Sequence, residues 1–286
     1  MAERFGAVLR DWRAKRRVSQ LDLSARAGTT QRHVSFVESG RARPGRQMVL
    51  KFAEALEVPL RARNELLVSA GYAPLYPERP LDAAELRIAQ QALQRILTHH
   101  EPYPAMVLDG GWNVLMRNAT SVRIVGSCVD ETAMRRLSPD GQLNFMRMMF
   151  APRGMRRHVL SWPHTARILI TRLRREAAAY PGSPSEVLLR EFLADGLPET
   201  PVADHDYLRD ELLEPVVPLE LGVGKTALRL LNTITTFGTP QDVTLQELRV
   251  EMSFPADAST DRALRGLFGA RRRPVWPNGY GKEKPR

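Results

Sequence analysis

The chain has 286 residues, a hydrophobic content of 43% and a formal net charge of +10, and this length predicts about two domains. No apolar run reaches the roughly eighteen residues that a membrane helix needs, and the first residues lack the apolar stretch of a signal peptide, so we expect neither. A single cysteine, Cys128, excludes an internal disulfide and fits a reducing cytoplasm.

Positive charge is concentrated at the two ends of the chain. Residues 1–70 carry a net charge of +7, residues 71–269 carry −2, and residues 270–286 carry +5. A basic amino-terminal module on a near-neutral body is typical of a chain that binds phosphates through one part only, because clustered Lys and Arg release counterions from the phosphates. The tail 270–286 is rich in Pro and Gly and is predicted to be a disordered basic segment.

The amino-terminal part predicts five helices, of which the second and third form a helix-turn-helix over residues 19–40. Ser19 and Thr30 stand where capping oxygens would accept hydrogen bonds from unpaired N–H groups, and Gly28 stands where the turn needs a left-handed residue. The residues that would pack the two helices together are small or apolar, namely Leu23, Ser24, Ala27, Val34 and Val37. The other three helices are predicted over 3–17, 46–56 and 60–69, and the second helix of such a unit enters the DNA major groove.

Residues from about 5 to 70 resemble the XRE, or phage-repressor-like, family of helix-turn-helix regulators. The resemblance rests on Arg13, Ser19-Gln20, Gly28, the run VSFVESG over 34–40, and Arg43-Pro44. It implies a lambda-repressor-like domain that binds double-stranded DNA. The residues assigned to DNA contact are Gln20, Thr30, Gln31, Arg32, His33, Ser35, Phe36, Arg41 and Arg43.

Individual roles within this set follow from the family pattern and from side-chain chemistry. Gln20 is expected to hold a phosphate, and Gln31 and Arg32 to reach base edges. Phe36 stands where relatives often carry a polar base reader, so there we expect a thymine-methyl contact or simple packing. Arg41 and Arg43, in the loop after the recognition helix, are placed to grip the DNA backbone. Arg13 and Glu38 match a family ion pair between the first and third helices.

Three prolines within residues 71–80 mark the boundary of this module. A connecting helix is predicted over 82–100, with an apolar stripe that serves either the core of the chain or a dimer. A β-hairpin follows over 105–116, in which Gly110 and Gly111 would supply the positive φ of a tight turn. Further predicted helices run over 119–125, 139–150, 161–180, 184–194 and 206–213, and predicted strands run over 226–236 and 243–254.

The order of these elements predicts an α+β body in which an antiparallel sheet carries helices on one face. Residues 104–259 resemble the MmyB-like ligand-binding domain found behind XRE-type modules, through LDGGWNVLMRN (108–118), LNFMRMMFAP (143–152), residues 161–184 and the closing strand pair. The resemblance implies a PAS-like sheet whose helical cover holds a small apolar ligand such as a fatty acid. The residues assigned to ligand contact, each equally compatible with plain core packing, are Trp112, Asn118, Asn144, Phe150 and Trp162.

Sequence patterns typical of catalysis are weak. The run LGVGKTAL over 221–228 lacks the first Gly of a phosphate-binding loop, where Leu219 stands instead. The His-containing groups at 99–101, 158–164 and 204–206 have no HExxH or CxxC spacing, so we expect no metal, no cofactor and no enzyme activity. The predicted domains are therefore 1–72 for DNA binding, 73–103 as linker and connecting helix, and 104–269 for ligand binding.

The sequence predicts a cytoplasmic, nucleoid-associated regulator that binds a palindromic operator as a homodimer and changes its operator binding with ligand. Two alternatives stay open. One is an enzyme with a DNA-tethering head, which requires a constellation of polar residues in the body. The other is a constitutive regulator whose second domain serves only dimerisation, which requires a domain core filled by its own side chains.

Overall fold

The computed structural model describes residues 2–180, 182–194 and 219–268. The chain divides into two compact units. The first, called the helical unit here, comprises Met1–Leu81 and Phe237–Gln246; the second, called the sheet unit, comprises Asp82–Thr236 and Glu247–Arg286. The predicted linker thus divides, with 73–81 in the helical unit and the connecting helix in the sheet unit. The predicted helix 206–213 and tail 270–286 lie outside the described residues.

The helical unit contains the five predicted helices. They are α1 Ala2–Lys15, α2 Gln20–Ala27, α3 Gln31–Glu38, α4 Arg46–Ala55 and α5 Leu60–Ser69. The predicted caps are confirmed, because Ser19 forms a capping box with Asp22 and the Thr30 hydroxyl accepts the N–H of His33 at 3.1 Å. Gly28 ends α2 with a φ of 64°, the left-handed conformation that glycine adopts without a Cβ clash.

The core of the helical unit is apolar and closely packed. Its fully buried side chains include Phe5 and Leu9 of α1, Leu23 of α2, and Val34 and Val37 of α3. Gly6 brings α1 against the end of α3, because a Cβ added there would stand 2.5 Å from the carbonyl oxygen of Val37. The spacing of α1 and α3 therefore depends on a residue without a side chain.

A segment from late in the chain completes the helical unit. The Gln246 side chain accepts the N–H of Leu60, at the start of α5, at 2.6 Å. Asp242 accepts a hydrogen bond from Arg79 at 2.9 Å and is 4% exposed. The Val243 N–H donates to the carbonyl of Pro77 at 2.9 Å. Residues 237–246 are thereby hydrogen-bonded both to α5 and to the segment that follows it.

The sheet unit contains, within the described residues, five antiparallel strands in the order β2-β1-β5-β4-β3. The strands are β1 Ala105–Leu108, β2 Val114–Arg117, β3 Leu219–Val223, β4 Thr226–Thr235 and β5 Arg249–Pro255. The α-helices are α6 Arg87–His99, α7 Ala119–Cys128, α8 Glu131–Leu137, α9 Phe145–Phe150, α10 Trp162–Ala179, α11 Pro184–Ala194 and α12 Ala258–Phe268. A further short helix, Val243–Glu247, lies almost wholly in the segment that belongs to the helical unit. The predicted α+β fold class is confirmed, and none of the described helices is long and apolar enough to cross a membrane.

Several predicted elements of the sheet unit were wrong in detail. The helix predicted over 139–150 begins only at Phe145, because Gly141 has a φ of 75° and Asn144 caps the new helix. Residues 243–247 are helical, not extended, because Asp242 accepts the N–H of Thr244. The run LGVGKTAL contains the end of β3, a strand that the sequence did not predict, and a turn into β4 in which Gly224 has a φ of 61°.

The β1–β2 turn also differs from its prediction. Neither Gly110 nor Gly111 has a positive φ; the left-handed residue is Trp112, with a φ of 65°. The Asp109 carboxylate accepts the N–H groups of Gly111 and Asn113, at 2.8 and 2.9 Å, and so holds the turn. A non-glycine residue in this conformation is strained and needs such surrounding support.

Candidate nucleic-acid interface and ligand cavity

The exposed face of α3 carries an aromatic ring with two cations close to it. The Phe36 ring is half-buried, with the Arg32 guanidinium 5.2 Å and the Arg41 guanidinium 6.0 Å from its centroid. Gln31 and Arg32 are exposed, and Ser35 is half-buried. Arginine over an aromatic face is attracted by the ring quadrupole. The arrangement offers an apolar surface flanked by donors, which suits a thymine methyl beside phosphates or guanine edges.

The remaining residues assigned to DNA contact have intramolecular partners. Thr30 caps α3, and the half-buried His33 ring stacks on Phe52 with centroids 6.4 Å apart. Gln20 donates to the Glu38 carboxylate at 2.8 Å. Arg43 donates to the carbonyl of Ala70 at 3.1 and 3.3 Å. Their contacts with DNA stay a prediction, and these bonds fix their side chains in the free protein.

Glu38 is the buried centre of the ion pair behind α3. It is 4% exposed and accepts hydrogen bonds from Arg13 Nε at 2.6 Å and from Arg13 Nη2 at 2.9 Å. Burial alone would raise the pKa of Glu38, but the bonds from Arg13 and Gln20 hold it below its ordinary value. The ionised pair therefore ties α1 and the start of α2 to the end of α3, the helix assigned to the major groove.

The sheet unit contains a cavity of about 60 Å³ between the sheet and its cover. Four methionines line it: Met106 on β1, Met148 and Met149 on α9, and Met155 at the start of the short 3-10 helix Met155–His158. Apolar residues make up most of the rest of the lining, and its polar side chains are Ser121, Asn232, Glu251 and Ser253. Methionine side chains are flexible and polarisable, so this lining can adapt to the shape of an apolar ligand.

The five residues assigned to ligand contact lie outside the lining of this cavity. Asn118 and Asn144 are buried caps, accepting the N–H groups of Ser121 at the start of α7 and of Arg147 in α9. Phe150 packs against Trp162 and Phe192 with centroids 5.2 and 4.5 Å away. The positions of these residues give them structural roles, and their contact with a ligand stays a prediction.

Trp112, the fifth of these residues, has two arginines close to its ring. It is 1% exposed, and the guanidinium groups of Arg172 and Arg249 lie 4.4 and 4.7 Å from its ring centroid. Its Nε1–H donates to Glu176 at 2.9 Å. Burial alone would raise the pKa of Glu176, but Arg249 and the bonds from Ser185 and Trp112 hold it below its ordinary value. This cluster supports the strained backbone of Trp112.

Glu251, on β5, is the charged residue among the four polar cavity residues that sequence reasoning missed. It is 9% exposed, and its Oε2 atom is buried without a hydrogen-bond partner among the described residues. Burial raises its pKa to about 6, although Arg172 and Arg249 oppose the shift. A sequence signal did exist, since Glu251 is a charged residue between Val250 and Met252 in an apolar strand.

Comparisons with known proteins give two family matches. Residues 89–267 match the family model described as MmyB-like transcription regulator ligand binding domain, and residues 9–62 match the model described as Helix-turn-helix. Comparison with curated proteins gives no match. Among solved structures, one described as an RNA-binding Light-Oxygen-Voltage Receptor is similar at 11% identity over 92% of this chain and 60% of that chain. The TM-score between the two structures is 0.25.

Proposed function

The chain belongs to the family of MmyB-like transcription regulators, with a helix-turn-helix for DNA and a ligand-binding domain, and we propose how these two parts work together. The protein binds a palindromic operator at the nucleoid as a homodimer. A small apolar ligand, with a fatty acid as the candidate, occupies the sheet unit and changes operator affinity. Two copies are needed because one recognition helix reads only one half-site.

The exposed face of α3 is the observation that supports the proposed DNA binding. Arg32 and Gln31 are available to base edges, and Phe36 adds an apolar contact between two guanidinium groups. The net charge of +7 over residues 1–70 supplies the sequence-independent attraction to phosphates. Sequence-specific readout then falls to a few side chains on one rigid helix.

The ligand part is supported by the chemistry of the cavity. Its lining is mostly apolar and includes the four methionines. Its volume of about 60 Å³ is smaller than the roughly 300–1,000 Å³ of sites for drug-sized ligands. An acyl chain therefore needs the methionine side chains to change rotamer, and this rearrangement is the step that would make the sheet unit respond to its ligand.

A covalent connection supports the proposed effect on DNA. The cavity is lined by Leu230 and Asn232 of β4 and by Glu251 and Ser253 of β5. The chain between these two strands contains Phe237–Gln246, which packs within the helical unit. A shift of either strand on ligand binding would thus pull on a segment that caps α5.

The test is selection of bound duplexes from a random DNA library, followed by affinity measurements with and without a saturating fatty acid. An enriched palindrome bound by two copies, with a fatty-acid-dependent dissociation constant, is expected. Recovery of unrelated sequences at equal affinity would refute operator recognition. An operator affinity that stays constant while the fatty acid binds would refute the modulation.

A second candidate function is constitutive regulation, with a sheet unit that serves assembly only. The small volume of this cavity favours it, because buried apolar side chains of the described residues pack around it. It predicts operator binding that no ligand changes. The titration described above separates the two candidates, because only the ligand-responsive regulator shows a shift.

A further inference from the structure

We propose that two copies of this chain associate through the outer face of α6, in an antiparallel pairing of their α6 helices with Ala92 at the two-fold axis. The inference rests on the proposed homodimer. It adds the surface through which the two copies meet and the register in which they pair, neither of which follows from the family matches.

Helix α6 carries two apolar stripes, and only one of them belongs to the core of the sheet unit. Leu93 and Leu97 are fully buried, and α6 packs on β1. The second stripe consists of Ile88, Ala92 and Ile96, whose spacing of four residues places their side chains on one face of the helix. Ile88 is 80% exposed, and Ala92 and Ile96 are half-buried. The helix therefore presents apolar side chains to solvent after its core contacts have been made.

The second stripe is complementary to itself. Ile88 and Ile96 lie four residues before and four residues after Ala92. A two-fold axis at Ala92 therefore places each isoleucine of one copy against the other isoleucine of the second copy. The two isoleucines are about 12 Å apart along the helix, and the small Ala92 side chain between them allows the two helix axes to approach closely. A second copy of this chain fits such a surface by symmetry.

The polar residues at the two ends of the stripe are complementary in the same register. Glu85, just before α6, and His99, at its end, are exposed and lie seven residues before and after Ala92. The two-fold axis places Glu85 of each copy near His99 of the other, with the exposed Arg95 one helical turn away. A parallel pairing would bring the two Glu85 carboxylates together. Charge thus favours the antiparallel register.

The first experiment is sedimentation equilibrium of the full chain at pH 7.5. We expect a wild-type dimer, and we expect Ile88→Glu to raise the dimer dissociation constant at least about tenfold, because it buries two carboxylates in the apolar stripe. Val187→Glu is the matched control. Val187, on α11, is 52% exposed, so this variant adds the same charge at another exposed apolar position of the sheet unit and should keep the wild-type constant. Circular dichroism should show both variants folded.

A second experiment tests the register through a disulfide. In Ala92→Cys the two new thiols meet at the axis, so oxidation by diamide, which takes up the two thiol hydrogens, should link the copies. Gln94→Cys is the control, because Gln94 is exposed on a different face of α6; it should stay unlinked. The native Cys128 is 2% exposed, and the wild-type chain should also stay unlinked.

Two results would overturn the inference while leaving the homodimer intact. One is an Ile88→Glu dimer as tight as that of the wild-type chain. The other is cross-linking of Gln94→Cys to the same extent as Ala92→Cys. A wild-type chain that stays monomeric at every concentration would instead remove the proposed homodimer, and the inference would fall with it.

Discussion

Gly6 on α1 lies so close to Val37 on α3 that a Cβ atom at position 6 would stand 2.5 Å from the Val37 carbonyl oxygen. We therefore expect Gly6→Ala to lower the free energy of unfolding by about 1–3 kcal/mol, because backbone atoms cannot yield as a flexible side chain can. Urea denaturation followed by circular dichroism measures the change.

The matched control is Gly126→Ala, in the exposed part of α7. Nothing lies within 4 Å of a Cβ added at Gly126, so alanine should stabilise the protein by about 0.5–1 kcal/mol through its higher helix propensity. Equal effects of the two substitutions, of either sign, would contradict the close approach of α1 and α3.

The Arg13–Glu38 pair predicts a large loss of stability when only one partner is removed. Arg13→Met leaves the Glu38 carboxylate, 4% exposed, with the Gln20 amide at 2.8 Å and the more distant Arg10 guanidinium at 3.8 Å, and should cost about 3 kcal/mol. Arg135→Met is the control, because Arg135 and Glu131 have side chains 77% and 81% exposed, and removal of such a pair costs at most about 1 kcal/mol. Similar midpoints of thermal unfolding for the two variants would be incompatible with the burial of Glu38.

The same pair predicts a dependence of stability on pH. The pKa of Glu38 in the folded chain is below its ordinary value of 4.5, so its contribution is present above pH 4.5 and is lost as the pH falls through the folded value. Glu38→Gln should remove this acid-sensitive contribution. Unfolding measured between pH 3 and pH 7 checks the prediction, which fails if wild type and variant lose stability in parallel.

Glu251 predicts the opposite pH dependence. Its pKa is raised from 4.5 to about 6 on folding, so the folded chain binds more protons than the unfolded chain between these values. The stability it contributes is complete below pH 4.5 and falls by about 2 kcal/mol as the pH rises past 6. Glu251→Gln should be the more stable protein at pH 7.5 and lose its advantage at pH 4. An advantage that is constant with pH would show that Glu251 does not titrate in this range.

Substitutions of Arg32 and Arg41 should have different effects on DNA binding, because Arg32 is predicted to contact a base and Arg41 a phosphate. If Arg32 reads a guanine, Arg32→Ala should cost about 1–3 kcal/mol at one base pair of the selected operator and leave binding to random DNA almost unchanged. Arg41→Ala should weaken all duplexes alike and reduce the salt slope by about 1. Fluorescence anisotropy at several salt concentrations measures both quantities. Equal losses on operator and random DNA for Arg32→Ala would remove its base-reading role.

The helical unit was predictable because its signals are local. Ser19, Gly28 and Thr30 act within a few residues of their own positions, so capping and turn chemistry can be inferred from the sequence. The ligand cavity was not predictable in this way. It brings together Met106 and Glu251, which are far apart in sequence and meet because β1 and β5 are neighbours in the sheet.

The secondary structure predicted from the sequence was wrong where the contacts of one side chain outweighed the local residue pattern. The alternation of Leu248, Val250 and Met252 suggested a strand from residue 243, but Asp242 caps a helical turn there first. At the β1–β2 turn, the glycine pair suggested the source of positive φ, whereas tertiary contacts impose it on Trp112. In both places a specific hydrogen bond or ring contact outweighs the residue's intrinsic preference.

The packing of residues 237–246 within the helical unit has a consequence for biosynthesis. Helices α1 to α5 leave the ribosome well before Asp242 and Gln246 have been translated, so the nascent helical unit lacks the acceptor for Leu60 and one acceptor for Arg79. A chain interrupted before these residues would carry α3, the helix proposed to read DNA, in a unit that lacks these hydrogen bonds. The helical unit can therefore complete its hydrogen bonds only after β4, which lines the cavity of the sheet unit and precedes residues 237–246, has been translated.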